Sequence, residues 1–135
     1  MCLKIKNYKG FKESIFINKE PITVYKLLTK DPVTGKLLSP WRNMEYKVGK
    51  TYEAELKQDI KEDEISEGIH VFESEGAATF SMYSFTVFGS FHGYIFECTI
   101  PPYSQYVEGI HHDIVTNRLI VNHEIQYKSP FDYII

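Results

Sequence analysis

The segment Gly68-Ile69-His70-Val71-Phe72-Glu73-Ser74-Glu75-Gly76-Ala77-Ala78-Thr79-Phe80 is the part of the chain that decides the fold. Its first five residues are rich in β-branched and aromatic side chains, which favours a short strand. Ser74 then stands where a helix N-cap is expected, ahead of an alanine-rich run, so the pattern predicts a helix that ends near Ser84. The segment therefore predicts a strand that passes directly into the main helix.

The length and composition of the chain define its class. A chain of 135 residues fits a single domain, spanning 1–135. Such a domain buries roughly two thirds of the surface that its unfolded chain exposes, so it needs neither a disulfide nor a metal to fold. The ten Tyr and nine Phe, many of them beside Ile and Val, favour strands. We expect an α+β fold: a twisted mixed or antiparallel sheet, or two small packed sheets, with one main helix.

Charge and cysteine content limit the classes of partner. The net charge of −3 argues against a protein that neutralises many phosphates of a nucleic acid, although a local basic pocket can still hold a small charged ligand. Cys2 and Cys98 form no disulfide framework and have no zinc-ligand spacing. The chain shows no apolar run of signal-peptide or membrane-spanning length. We expect a cytosolic protein with no nucleic-acid or membrane partner, and a homo-oligomer is left open.

Turn residues and apolar runs predict the order of the elements. Gly49 marks a break or bulge inside one predicted strand. The run Asp31-Pro32-Val33-Thr34-Gly35 predicts a surface turn. The acid-rich and lysine-rich residues 57–67 predict a solvated loop or sheet edge. After a polar, lysine-rich lead, strands are predicted at 22–28, 46–54, 94–100, 106–110 and 114–125.

Short motifs along nearly the whole chain carry a resemblance to a known family. They include Tyr25-Lys26-Leu27-Leu28, Ser39-Pro40-Trp41-Arg42, Glu67-Gly68-Ile69-His70-Val71-Phe72, Cys98-Thr99-Ile100-Pro101 and Thr116-Asn117-Arg118-Leu119. In these motifs the chain resembles a family of small hypothetical proteins that are common in bacteriophages and prophages. The resemblance implies a phage-type accessory protein of the bacterial cytosol. Small phage proteins of this kind frequently counter host defence, some of them by sequestering nucleotide immune signals.

The segment from Gly68 to Phe80 also resembles the central element of ADP-ribosyltransferase-like domains. In those domains the strand and the helix after it form one wall of a cleft that holds a nicotinamide dinucleotide. The first-strand motif of the family falls on Tyr25-Lys26-Leu27, with Lys where Arg or Gly is expected. Glu108 and Glu124 are the glutamates available after Tyr106, and they form no Glu-x-Glu or Gln-x-Glu pair. The resemblance therefore implies dinucleotide binding without the carboxylate that transfer chemistry needs.

The candidate ligand-binding residues come from this cleft wall and from an aromatic and basic loop. Trp41 and Arg42 are either a lip that stacks a base and pairs a phosphate, or a hydrophobic plug at the open end of the sheet. His70 faces away from both of its neighbours in the strand, so it is either a half-buried histidine hydrogen-bonded to a neighbour or a ligand contact. The full candidate set is Tyr25, Lys26, Trp41, Arg42, His70 and Phe72.

Other reactive side chains give weaker signals. The run His111-His112-Asp113, with the more distant His123, suggests a metal, but adjacent histidines on a strand point to opposite faces. Cys2 would become an N-terminal nucleophile if Met1 were removed, yet no partner base accompanies it. We assign no metal, no cofactor and no catalytic residue.

These observations lead to a ranked set of functions. The leading hypothesis is a binding protein that captures a nucleotide or an NAD-derived small molecule. An ADP-ribosyltransferase-like enzyme is the second hypothesis. The third is a protein that inhibits a host factor by surface contact.

Overall fold

The computed structural model describes residues 3–39, 44–88 and 93–125, without the side chains of 82–88. In chain order the described elements are β1 (Leu3–Lys4), a 3₁₀ helix (Lys12–Ser14), β2 (Phe16–Ile17), β3 (Ile22–Lys30), β4 (Leu37–Leu38), β5 (Glu45–Tyr46), β6 (Thr51–Glu53), β7 (Lys57–Gln58), β8 (Glu64–Glu67), β9 (Ile69–Phe72), α1 (Glu75–Phe88), β10 (Tyr94–Ile100), β11 (Gln105–Glu108), β12 (Asp113–Thr116) and β13 (Arg118–Glu124).

The described strands form two antiparallel sheets. The larger sheet has the order β2-β11-β12-β9-β3-β10-β13-β6, with the β4–β5 hairpin attached to β3. The smaller sheet has the order β1-β8-β7. The expectation of a sheet-dominated fold with one main helix is confirmed. Among the described residues, no helix is long and apolar enough to cross a membrane.

The single strand predicted over 114–125 is in fact two strands joined by Asn117. Strand β12 pairs with β9 and β11, whereas β13 pairs with β10 and β6. Because β9 and β10 flank β3 on opposite sides, the sheet must curl so that β12 and β13 come together at this joint. The Asn117 Oδ1 atom accepts a hydrogen bond from the Gln105 N–H at 2.8 Å, and the buried Thr116 hydroxyl donates to the Gln105 carbonyl at 3.0 Å. These bonds fix the point at which the chain changes partners.

The other boundaries differ from the predictions in detail. The break predicted at Gly49 within 46–54 is confirmed, because β5 and β6 are separated by a turn in which Gly49 has a φ of 86°. The acid-rich and lysine-rich segment is a short hairpin, β7 and β8, so the edge interpretation is the correct one. The polar lead contributes the short strands β1 and β2, and β11 ends at Glu108 rather than residue 110.

The junction of β9 and α1 follows the sequence pattern closely. Ser74 Oγ accepts a hydrogen bond from the Ala77 N–H at 3.1 Å, which is the predicted N-cap. The helix extends to Phe88 rather than Ser84, because its second half is as apolar as its first and contains no Gly or Pro to end it.

Two hydrophobic clusters lie on the two faces of the central strands. The helix side holds the buried cluster of Leu27, Phe72, Ala78 and Ile95. The opposite face lines the inside of the curled sheet, with Val24 and Leu28 among its fully buried residues. Side chains alternate along a strand, so Lys26 shares this inner face with its two apolar neighbours. The fold therefore places a lysine in the hydrophobic interior.

Candidate ligand-binding cleft

A gap in the larger sheet creates the candidate site. Strand β3 pairs with β10 continuously from Ile22 to Leu28 along one edge. Along the other edge it pairs with β9 only through Tyr25 and Phe72, and then with β4 from Thr29 onward. Within the described part of the chain no strand pairs with the intervening edge. A cleft of about 160 Å³ lies beside this gap, and we call it the Lys26 cleft.

The Lys26 cleft has an apolar interior and a polar rim. Interior and rim come from five separate strands and from the loops between them, so distant parts of the chain meet here. The rim includes the exposed Met44, Glu55 and Glu67 and the half-buried Ser66. Buried residues of the interior are Leu27, Tyr46, Ile65, Ile69, Phe72 and Val115.

Lys26 is the charged group of the interior, and only 5% of it is exposed. Its Nζ atom donates a hydrogen bond to the main-chain oxygen of His70 at 2.8 Å and lies 5.1 Å from the centre of the Tyr46 ring. No carboxylate of the described residues lies within ion-pair distance of this ammonium group. Burial away from water disfavours the charged form and lowers the pKa of Lys26 to about 8.

His70 and Asp113 form a second polar feature next to the cleft. The His70 Nε2 and Asp113 Oδ2 atoms are 3.0 Å apart, and only 2% of Asp113 is exposed. Because an ionised carboxylate only accepts hydrogen bonds, Nε2 is the donor. Burial alone would raise the pKa of Asp113, but the hydrogen bond and charge of His70, with the His111 N–H, outweigh burial and lower it. The pair stabilises an ionised carboxylate inside the protein.

The His70 ring has the features of its first interpretation, a half-buried histidine hydrogen-bonded to a neighbour, and the ligand contact stays a prediction. The ring is half-buried, is hydrogen-bonded to Asp113 and meets the Phe72 ring edge to face with centroids 5.3 Å apart. The main chain of His70 nevertheless contributes to the cleft, because its carbonyl oxygen accepts the hydrogen bond from Lys26.

The sequence-predicted residues only partly come together. Lys26, His70 and Phe72 line the cleft. Tyr25 is not among the cleft residues and packs against the helix-side cluster instead. Trp41 and Arg42 lie outside the described residues, although Ser39 and Met44, which flank their segment, both line the cleft. The lip interpretation of that segment stays a prediction.

Tyr46 is a site residue that sequence reasoning missed. It is 3% exposed, and its ring packs on Tyr52 with centroids 4.7 Å apart. Burial raises the pKa of Tyr46 to about 12, so its hydroxyl stays neutral. The sequence assigned Tyr46 to a strand, but no local pattern indicates that this strand faces Lys26.

The remaining reactive candidates lie elsewhere. Glu108 and Glu124 are not among the cleft residues, and Glu124 pairs with Lys30 at 2.6 Å. His112 pairs with Glu73 at 2.7 Å, whereas Asp113 pairs with His70. The residues of the His111-His112-Asp113 run therefore have different partners. Within 3–39, 44–88 and 93–125, no group of three His, Cys, Asp or Glu residues is arranged to hold a metal. Arg118 is partly exposed and pairs with Glu53 at 3.6 Å.

Comparison with known proteins adds no further identification. No family model, no curated protein and no solved structure matches this chain. The resemblances to phage proteins and to ADP-ribosyltransferase-like domains therefore stay predictions, and the geometry of the Lys26 cleft is the basis for the functional argument.

Proposed function

We propose that the protein binds a small anionic molecule in the Lys26 cleft, with a nucleotide or an NAD-derived compound as the specific candidate. One observation carries the proposal: Lys26 is a buried ammonium group on a cleft wall, without a carboxylate partner in the described part of the chain. A buried charge is costly unless an opposite charge pairs with it. An acidic group of a ligand would supply the missing partner.

The charges on the rim of the cleft limit the class of ligand that can bind. Glu55 and Glu67 place carboxylates at the mouth of the cleft, and Lys57 offsets only the second of them, at 3.4 Å. Negative charge at the mouth disfavours a chain of phosphates but suits hydroxyl groups, which donate hydrogen bonds to carboxylates. A ligand with one acidic group at its inner end would pair with Lys26, and ribose-type hydroxyls at its outer end would donate hydrogen bonds to the carboxylates of the rim.

Capture without turnover is the activity we propose. The glutamates that an ADP-ribosyltransferase-like mechanism would use, Glu108 and Glu124, are outside the cleft lining. Groups that only bind stabilise the ground state and the transition state about equally, so they give affinity without catalysis. In the phage setting that the sequence resemblance implies, such a protein would withhold a nucleotide-type signal from its host.

The test begins with the ligand and ends with matched variants. Mass spectrometry of small molecules released from the heat-denatured protein identifies the candidate, and titration calorimetry measures its affinity for the purified protein. Lys26→Met should weaken binding by about 1.5 to 3 kcal/mol, because it removes one charge-assisted contact. Lys61→Met, on the exposed hairpin turn, should bind as the parent does. Equal affinity of the Lys26 and Lys61 variants would contradict the proposal.

A further inference from the structure

Lys26 has the placement of a nucleophile as well as that of a charge. Its amine lies in the cleft wall, and the hydrogen bond to the His70 carbonyl at 2.8 Å fixes its position. The pKa of Lys26 is lowered to about 8 by burial, whereas exposed lysines titrate near 10.4. At neutral pH, therefore, a much larger share of this amine carries a free lone pair.

We propose that Lys26 captures the carbonyl group of an anionic aldehyde or ketone as an imine. The inference rests on the proposed function, because the same cleft must first hold the ligand. The Nζ lone pair attacks the carbonyl carbon to form a C–N bond, and the carbonyl oxygen takes up a proton. One amine hydrogen supplies that proton, and the resulting carbinolamine then loses its hydroxyl group and its remaining amine hydrogen as water, so that the C=N bond forms. No oxidant or reductant is consumed.

The surroundings of Lys26 favour the imine over its hydrolysis. Tyr46, Ile69 and Phe72 give the cleft an apolar wall, which limits the water available to hydrolyse an imine. Protonation of the imine nitrogen keeps a positive charge where the ammonium charge was, beside the acidic group of the ligand. The open-chain form of a ribose phosphate belongs to this ligand class, since it carries both an aldehyde and an acidic group.

Reductive trapping tests the inference on the full chain. The protein is incubated at pH 7 with glyoxylate, a small anionic aldehyde, and cyanoborohydride, and peptide mass spectrometry then maps the modified lysines. Lys26 should be labelled at least tenfold faster than the exposed Lys36 and Lys61, because burial lowers its pKa and so enlarges its neutral fraction. Glycolate, which has an alcohol in place of the aldehyde of glyoxylate, should give no label. Equal labelling of the three lysines would overturn the inference.

A pH series and one variant complete the experiment. The labelling rate of Lys26 should rise with a midpoint near pH 8, and Lys26→Arg should lose this label while Lys61 keeps its own. Labelling of Lys26 only in urea would overturn the inference, because the folded cleft would then have no part in it. If Lys26→Met loses ligand affinity but glyoxylate never labels Lys26, imine capture is wrong and anion binding stands. If glyoxylate labels Lys26 but affinity is unchanged in Lys26→Met, anion binding at Lys26 is wrong.

Discussion

The Nζ atom of Lys26 donates a hydrogen bond to the main-chain oxygen of His70 at 2.8 Å, across the gap where β3 and β9 cease to pair. The bond takes the place of a ladder hydrogen bond that β3 would otherwise supply. A side chain thus satisfies a strand carbonyl and leaves the cleft open. The same bond holds a positive charge in an apolar interior, so the gap between β3 and β9 and the buried charge of Lys26 depend on each other.

Lys26→Met should stabilise the protein at pH 7. The folded state lowers the pKa of Lys26 from 10.5 to about 8, so the buried ammonium costs on the order of 3 kcal/mol below pH 8. Loss of the hydrogen bond to His70 offsets about 1 kcal/mol of the gain. Urea denaturation of both proteins at pH 7 measures the difference. A variant less stable than its parent would show that the lysine is mainly structural.

The stabilising effect of Lys26→Met should also depend on pH. Between pH 8 and about 10.4 the unfolded chain holds the Lys26 proton and the folded protein does not, so raising the pH stabilises the parent. The advantage of the variant should therefore shrink across this window. Tyr46 and Cys98, whose pKa values are each raised to about 12, titrate in both proteins and cancel in the comparison to first order.

Asp113→Asn should destabilise the protein by about 1.5 to 3 kcal/mol at pH 7, because it removes the charge from the buried hydrogen bond with His70. The pKa of Asp113 is lowered in the folded state. Its contribution is therefore present above about pH 3.9, the unfolded value, and is lost as the pH falls further. Denaturation curves of parent and variant should differ at pH 7 and approach each other at pH 3.

The exposed pair between Glu73 and His112 provides the control for Asp113. Glu73→Gln removes a charge at a similar distance, 2.7 Å, but 73% of the His112 side chain is exposed. Exposed pairs contribute little, so the change in unfolding free energy should stay within about 1 kcal/mol. Equal losses in Glu73→Gln and Asp113→Asn would mean that burial is not the cause.

Gly68→Ala should cost more than Gly35→Ala. Both glycines have positive φ, 138° and 72°, which costs an L residue about 1 to 3 kcal/mol. At Gly68 an added Cβ would also overlap the side chains of Val115 and Leu56, whereas at Gly35 it would meet open space. Thermal unfolding of the two variants measures the difference. A larger loss at Gly35 would show that the packing between β9 and β12 adapts readily.

Asn18→Leu should lower stability by about 2 kcal/mol or more. The buried amide accepts a hydrogen bond from the Ser104 N–H at 3.0 Å and donates to the Pro101 carbonyl at 2.9 Å. Removing it leaves buried main-chain groups unsatisfied, which costs about 1 to 3 kcal/mol for each group. Denaturant titration is the measurement, and Asn18→Ser, which keeps one hydrogen-bonding group, should lose less. Equal loss in both would argue that side-chain volume is decisive.

Local patterns in the sequence could predict the central strands and the start of the helix. The β-branched and aromatic run from Ile22 predicts β3, and the Ser74 N-cap depends on its near neighbours. These are short-range effects, and the structure confirms them. The burial of Lys26 beside Val24 and Leu28 was not predicted, because apolar residues lie on both faces of this strand.

The sequence pattern could not predict which distant strands pair with each other. His70 and Asp113 lie 43 residues apart and meet only because β9 and β12 share a register. Tyr46 reaches the cleft through the short β4–β5 hairpin, which the sequence pattern did not resolve. The break at Asn117 is hidden inside an apolar run, because a strand that changes partners stays apolar on both sides of the change.

The joint at Asn117 also has a consequence for how the protein folds. Asp113–Thr116 and Arg118–Glu124 extend ladders that flank β3 on opposite sides, and a single residue links them. The β9–β12 and β6–β13 ladders join parts of the chain that are far apart in sequence, so large loops must close before either one is complete. When a hydrogen bond of β12 opens, the strain passes to β13, because one residue connects the two strands. The curled sheet should thus form slowly and gain and lose its hydrogen-exchange protection as one cooperative unit. Neither half of the sheet should be stable without the other.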